Sequence, residues 1–258
     1  MYKMIIRKTP EQVDKMAVAG EILVRCLKML EAKSRAGATT GELDAAAEKF
    51  IRSQQAEPAF KGYRGFPGSI CASPNSMVVH GIPGRYELKR GDVLSIDVGV
   101  VKDGWVADAA ITVPIGEVTP EARELLDVTK GALFAGVEQM QPGNHLGDVS
   151  AAIQKTVEIE GLSIIRTLVG HGIGREMHED PQVPNYGEPG KGPLLEEGTV
   201  LAIEPMVNAG GPLVHSGDDG WAVYSDDGSL AAHFEFTVAV TADGPRILTS
   251  WHEEIEQL

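Results

Sequence analysis

Asp97 and Asp108 lie where two carboxylates can act together, in the stretch GDVLSIDVGVVKDGWVADAAITV that runs from Gly91 to Val113. Two runs of β-branched and apolar residues, Val93 to Val101 and Trp105 to Val113, flank Asp103-Gly104, a strong short-range hairpin signal. A tight turn there pairs Lys102 with Trp105, Gly99 with Asp108, and Asp97 with Ala110. The two aspartates are then diagonal cross-strand neighbours on one face, about 7 to 8 Å apart at the backbone. Carboxylates that close repel unless they share a proton or a metal ion, and Gly99, opposite Asp108, leaves room for either. Taken by itself the stretch reads more simply as a solvated hairpin face, and a β-bulge would turn one aspartate to the other side.

The chain then repeats itself. Thr119-Pro120-Glu121 echoes Thr9-Pro10-Glu11, the run Gly147 to Ala152 echoes Gly41 to Ala46, and Gly198 to Glu204 echoes Gly91 to Asp97. Three matches in one order, at nearly one offset of roughly 107 positions, point to two α/β halves of common ancestry, about 9–113 and 119–240. Halves so related pack about a pseudo-twofold axis, where equivalent residues meet. Glu204 takes the place of Asp97, and HFEFTVAV sets Glu235 in an alternating strand as ADAAITV sets Asp108. Four carboxylates facing one half-buried space need cations, and hard oxygen ligands in pairs suit two divalent metal ions. A nitrogen ligand would favour a transition metal over magnesium. His171 is the candidate, because it follows an expected strand, Leu162 to Val169, and its flanking glycines allow close approach. A lone histidine in a turn is more commonly only solvated, and His233, on the strand face of Glu235, is a rival.

These groups need elements to hold them. Thr9-Pro10-Glu11-Gln12 has the layout of an N-cap, a proline at the first helical position and a capping-box Gln. Val13, Met16, Ala17, Gly20, Val24, Leu27 and Leu30 then follow the spacing of one buried helical stripe. A second helix starts at Thr39, with Glu42 three residues on, and buries Leu43, Ala46, Ala47, Phe50 and Ile51. A third follows Thr119, with Leu125, Val128, Thr129, Ala132 and Leu133 inward. After Pro58 the irregular run FKGYRGFPGSICASPNSMVVHGIPG carries aromatic anchors, Cys71 and His80; segments of this composition usually run over the surface, but aromatic ones often line pockets.

Composition narrows the class of function. A chain of 258 residues with 43% hydrophobic content buries a full core, while a formal net charge of −14 argues against a duplex-binding or anionic-membrane surface. Two cysteines in unlike contexts give no disulfide framework and fit a reducing compartment. MYKMIIRKTP has too short an apolar run for a signal peptide, and no stretch is long enough to span a bilayer. A soluble cytoplasmic protein is expected.

Asp97, Asp108, His171, Glu204 and Glu235, set in IDVGVVKDGWVAD, GHGIGREMHEDPQVPNYG, LAIEPMVNAG and HFEFTV, together resemble type I methionine aminopeptidase over nearly the whole chain. The five ligands in these contexts are highly specific; GHGIG alone would not be. The resemblance implies an α/β (α+β) pita-bread fold, one catalytic domain over 1–258 whose two pseudo-twofold halves enclose a dinuclear metal site. It implies two divalent ions (Co, Mn, Fe, Zn or Ni), with Asp97 chelating one, Asp108 and Glu235 bridging, and His171 and Glu204 completing the other shell.

The activity implied is removal of the N-terminal methionine of nascent polypeptides when the second residue is small. Glu204 would carry the proton, His178 would bond the substrate carbonyl or the developing oxyanion, and His80 would contact the nitrogen beyond the scissile bond. Tyr63, Phe66, Cys71, Met177 and Trp221 would wall the methionine slot, with Phe60 near its lip; read without the family, these are as well ordinary core residues. Phe66 stands where tyrosine is common, Met177 where phenylalanine is common, Phe60 where a smaller residue is frequent, and Phe236 where histidine is usual. The role implies a monomer with at most transient ribosome association, no membrane partner and no nucleic-acid specificity. It also implies that the chain's own Met1-Tyr2 bond is left intact. Prolidase-like and Xaa-Pro aminopeptidases share the ligand set, but usually carry a large N-terminal domain ahead of a helix such as the one starting at Thr9; a catalytically dead binding module would have lost ligands.

Overall fold

The computed structural model describes residues 5–252, so Met1 and Tyr2 lie outside the described residues. Three of the four α-helices among the described residues form where the capping signals place them. Helix α1 (Pro10–Lys33) and α2 (Thr40–Ser53) each open on a reciprocal capping box, Thr9 with Gln12 and Thr39 with Glu42. Helix α3 (Pro120–Glu138) begins after Thr119, whose hydroxyl accepts from the Ala122 amide, and α4 (Leu146–Glu158) follows it. In both halves a proline-started helix is therefore followed by a second helix.

The hairpin has the register its turn dictates. Val93–Lys102 and Trp105–Pro114 pair antiparallel with Lys102 opposite Trp105, Gly99 opposite Asp108 and Asp97 opposite Ala110. Asp103 and Gly104 both take positive φ, 51° and 73°, as a two-residue turn that follows the strand twist requires. Cys71–Pro74 and Glu57–Pro58 complete this sheet on Val93–Lys102. A five-stranded sheet in the second half runs, in spatial order, Gly244–Ile247, Phe236–Thr241, Val200–Ile203, Val169–Gly172 and Glu179–Pro184. Two three-stranded sheets fill the ends, one of Ala231–His233, Met206–Asn208 and Ser163–Ile164, the other of Val214–Ser216, Val223–Ser225 and Met77–Val79.

Helix α1 packs on both hairpin strands, and α3 and α4 pack on each other behind the second half. Leu23, Leu27 and Leu30 of α1 are fully buried in one continuous core with Ile96 and Val98 of the hairpin and Leu133 and Ile153 of α3 and α4. Each such side chain contributes about 1.5–3 kcal/mol by leaving water.

The halves are stitched by hydrogen bonds far apart in sequence. Thr237 accepts the Asp108 amide at 3.0 Å and donates to the Asp108 carbonyl at 2.8 Å, and Thr112 makes the same double contact with the backbone of His233. The Glu235 amide donates to the Ala110 carbonyl at 2.9 Å. These bonds bring Glu235 beside Asp108.

Three expectations are corrected. The strand expected over Leu162 to Val169 is only Ser163–Ile164, and His171 lies inside the strand Val169–Gly172 rather than after one. Glu235 sits in the break between Ala231–His233 and Phe236–Thr241, where its amide turns to the hairpin. The room at Gly99 goes to neither proton nor metal: a Cβ there would stand 2.8 Å from Met177 Cε and 2.8 Å from the Phe60 ring.

Candidate functional site

The cavity between the halves is lined by Asp97, Asp108, His171, Glu204 and Glu235 together with Phe60, Tyr63, Arg64, Phe66, Cys71, His80, His178 and Trp221. The hairpin supplies Asp97 and Asp108 on one face of adjacent strands. His171 comes from a strand whose neighbours must be glycine, since a Cβ at Gly170 would lie 2.3 Å from the Ala202 carbonyl oxygen and one at Gly172 2.3 Å from that of Asp180. That close approach draws the imidazole down among the carboxylates. Glu204 ends the strand Val200–Ile203, and Asn185 fixes it by donating to its carbonyl at 3.0 Å.

The charge balance of this cluster points to cations. Asp108 Oδ1, Asp97 Oδ1 and Glu235 Oε1 are buried without a hydrogen-bond partner. Burial first, then the neighbouring carboxylates, hold Asp97, Glu204 and Glu235 well above the ordinary carboxylate range, and burial pushes Asp108 up to about 7. His171 is the converse: burial lowers it to about 3, so the ring is neutral. Its Nδ1 donates to the Gly172 carbonyl at 2.9 Å, which leaves Nε2 unprotonated and turned to Glu204 Oε1 at 3.6 Å and Asp108 Oδ2 at 3.9 Å. Those separations are too long for hydrogen bonds and suit ligands that share an ion. Ligand atoms of Asp108, His171 and Glu235 all fall within 4.8 Å of one another. Neutral imidazole with unpaired carboxylate oxygens fits a divalent transition ion.

His233, the rival, is also buried, and its Nε2 has no hydrogen-bond partner. It stands 3.6 Å from Glu204 Oε2, across that carboxylate from His171. It therefore faces Glu204 and is outside the convergent group of Asp108, His171 and Glu235.

An apolar slot adjoins the carboxylates. Cys71 is the cross-strand partner of Asp97, so wall and ligand are set side by side by one register. Phe66 meets Trp221 edge to face with ring centroids 5.2 Å apart. Phe60, expected at the lip, is buried in the wall, and Met177, expected in the wall, does not line the cavity but is buried against Gly99. Phe236 points away from the carboxylates into the core, stacked on Trp251 at 4.7 Å and edge-on to Phe134 at 5.6 Å. Its aromatic bulk is core packing.

Polar groups crown the slot. The Tyr63 hydroxyl and His178 Nδ1 are 2.8 Å apart, and burial, then the Arg64 charge, lower His178 to about 4. His80 holds a positive φ of 60° and exposes its ring in the concave mouth, where partial removal from water lowers its pKa. The sequence did not single out Arg64, the permanent cation of the lining, or the pair Lys8–Glu179 that anchors the His178 segment. Only adjacency to the aromatic run and to HED could have suggested them.

Comparison with known proteins agrees with this geometry. The model of metallopeptidase family M24 matches residues 14–242. A methionine aminopeptidase of Clostridium perfringens is 52% identical over 95% of this chain and 99% of its own. The crystal structure of a methionine aminopeptidase from Thermotoga maritima superposes with a TM-score of 0.94 at 44% identity, covering 95% of this chain and 99% of that one. The prolidase of Pyrococcus furiosus, at 24% identity and a TM-score of 0.77, shares the fold, with 98% of this chain matching 66% of that one. With a family model across most of its length and a half-identical relative end to end, the chain belongs to metallopeptidase family M24, with the pita-bread fold, among the methionine aminopeptidases.

Proposed function

We propose that this protein removes the N-terminal methionine from nascent polypeptides and peptides whose second residue is small, and that its working form holds two divalent ions. Asp97, Asp108, His171, Glu204 and Glu235 would hold them. When bound, such ions acidify water towards neutral pH and polarise a carbonyl. Buried oxygens of three of these residues that lack any partner support this reading most directly. Ligand type alone does not choose among Co, Mn, Fe, Zn and Ni.

The chain's own groups divide the remaining work. Glu204 keeps 13% of its side chain exposed to the cavity and carries the proton from the attacking water to the departing amine. With Tyr63 donating to His178 Nδ1, the proton of that neutral ring sits on Nε2 and is offered to the substrate carbonyl or the oxyanion that develops from it. His80, across the mouth, contacts the nitrogen beyond the scissile bond. Phe60, Tyr63, Phe66, Cys71 and Trp221 enclose the methionine side chain and exclude water. Met177 acts from behind by filling the space at Gly99.

We read residues 1–258 as one catalytic domain of two related halves, acting as a monomer in the cytoplasm on chains leaving the ribosome, which it touches only transiently. Two buried free cysteines fit a reducing compartment, and among the described residues no helix is long and apolar enough to cross a membrane. A peptide panel with manganese or cobalt tests the substrate: release of methionine from Met-Ala-Ser, and none from Met-Tyr-Ser, is expected. Preferred release of residues next to proline would overturn it in favour of prolidase-like chemistry.

A further inference from the structure

Arg64 stands at the mouth of the slot with an environment unlike that of any other residue there. It sits in the short turn Tyr63–Gly65 with φ 49° and ψ 22°, between Gly62 and Gly65, whose φ values are 85° and 91°. Three positive φ values within four residues, at Gly62, Arg64 and Gly65, fix where the side chain starts. Its guanidinium carbon lies 5.3 Å from the Tyr63 ring centroid, on the residue whose hydroxyl meets His178. The side chain is exposed, and among the described residues it makes no ion pair or side-chain hydrogen bond. Lys8, by contrast, is paired with Glu179, and Arg175 is spent on the Trp105 face and the carbonyls of Asp103 and Gly104.

Among the described residues, Arg64 leaves its guanidinium at the mouth with only the Tyr63 ring against it. The chain carries a net charge of −14, of which the share of the four cavity-floor carboxylates is offset once the proposed cations bind. Such a field repels acidic peptides from the mouth. Arg64 is the only permanently charged cation among the lining residues, and it lies beside His178, whose pKa its charge helps to lower. A peptide with its methionine in the slot and its carbonyl at His178 leads its next residues out past this edge of the rim.

We propose that Arg64 is a specificity-determining residue that binds a carboxylate on the departing side of the substrate, at the third or fourth residue, through its planar guanidinium. This rests on the methionine aminopeptidase reading above. The carboxylate is either an acidic side chain or the free C-terminus of a short peptide, and a guanidinium pairs with each in the same two-point way. Exposure and salt screening keep the effect modest, while the turn limits the ordering entropy.

Four C-terminally amidated peptides measure it: Met-Ala-Ser-Ala as reference, and the same peptide with Asp at the third position, with Glu at the fourth and with Lys at the third. The free-acid form of Met-Ala-Ser serves as a separate arm. Ratios of kcat/KM are taken within each enzyme, so any overall loss cancels. In the wild type at low salt one of the acidic peptides is expected to exceed the Lys peptide by about three- to five-fold, and the ratio to fall towards one at high salt. Arg64→Gln should bring the ratio to one or below, and Arg64→Lys, which keeps the charge but not the two-point fork, should retain only part of it. A preference seen only with the free acid assigns the C-terminal carboxylate, whereas one that survives amidation assigns the side chain. A wild-type ratio at or below one in both arms, or an equal ratio in Arg64→Gln, overturns the proposal. No release from the reference peptide would instead overturn the methionine aminopeptidase reading itself.

Discussion

Lys8 and Glu179 form an ion pair 2.7 Å long, with 3% and 6% of their side chains exposed, that joins the segment entering α1 to the segment carrying His178. The other Glu179 oxygen accepts the Arg175 amide at 2.8 Å and the Glu176 amide at 3.3 Å, so one carboxylate closes the turn that presents His178. Removing one partner of such a buried pair strands the other's charge. Lys8→Met should lower unfolding stability by about 3–5 kcal/mol, and Lys8→Met combined with Glu179→Gln should recover part of that loss. Urea unfolding checks this, and equal stability of wild type and Lys8→Met would contradict it.

Loss of ligands should separate holding from turnover. Asp97→Asn, Asp108→Asn and Glu235→Gln are expected to lose bound metal and activity together, because an amide replaces an oxygen anion with a poorer ligand. Glu204→Gln should retain at least one ion yet turn over about 10²- to 10⁴-fold more slowly, the usual size of general acid–base assistance. Elemental analysis beside peptide kinetics reads both quantities; wild-type rates from metal-depleted Asp108→Asn would contradict the assignment.

Acidity offers an independent handle on the same cluster. Asp108 is raised in the folded chain to about 7 from an ordinary value of 3.8. A raised folded pKa means that the native state binds the proton more tightly, so its stabilising contribution is present below pH 4 and is lost as pH rises towards 7. Buried His171 and His233, both lowered to about 3, work in the opposite direction from pH 6.5 downwards and obscure the effect in a single profile. The stability difference between metal-free wild type and metal-free Asp108→Asn reduces the histidine contribution and reports Asp108 together with its coupling to Asp97, Glu204 and Glu235. That difference should shift against the wild type as pH rises from 4 to 7, and a flat difference would contradict the raised titration of this carboxylate cluster.

The floor of the slot supplies a packing test. Gly99→Ala would put a methyl within 2.9 Å of Met177 Cε, the Phe60 ring and Ala59 Cβ. Overpacking of this kind costs about 1–3 kcal/mol, and displacement of Phe60 into the slot should raise KM for methionine substrates. Unchanged Tm and KM would contradict the assigned packing.

Much of this architecture was legible because local chemistry specifies it. Asp103-Gly104 admits few turns, and once the turn is set a period of two forces Asp97 and Asp108 onto one face. Thr9 and Thr39 announce their helices through capping boxes alone. His171 is harder to place by type of structure: Gly170 and Gly172 look like turn residues in the sequence, whereas they are strand residues crowded by the Ala202 and Asp180 carbonyls. Alternation continues through Glu235 and suggests a mid-strand residue, while its amide leaves the ladder for Ala110 of the other half. Thr237 on Asp108 and Lys8 on Glu179 join residues 129 and 171 positions apart, and no local pattern encodes such partners.

One titration follows metal-dependent methionine release and metal occupancy side by side. Chelator-treated protein receives manganese in steps, while elemental analysis of the protein and release of methionine from Met-Ala-Ser are followed together. Release is expected to be absent in the metal-free protein, to rise with occupancy of the site and to disappear again when chelator is restored. Full-rate release from protein shown to hold no metal, or no release at full occupancy, would contradict the account.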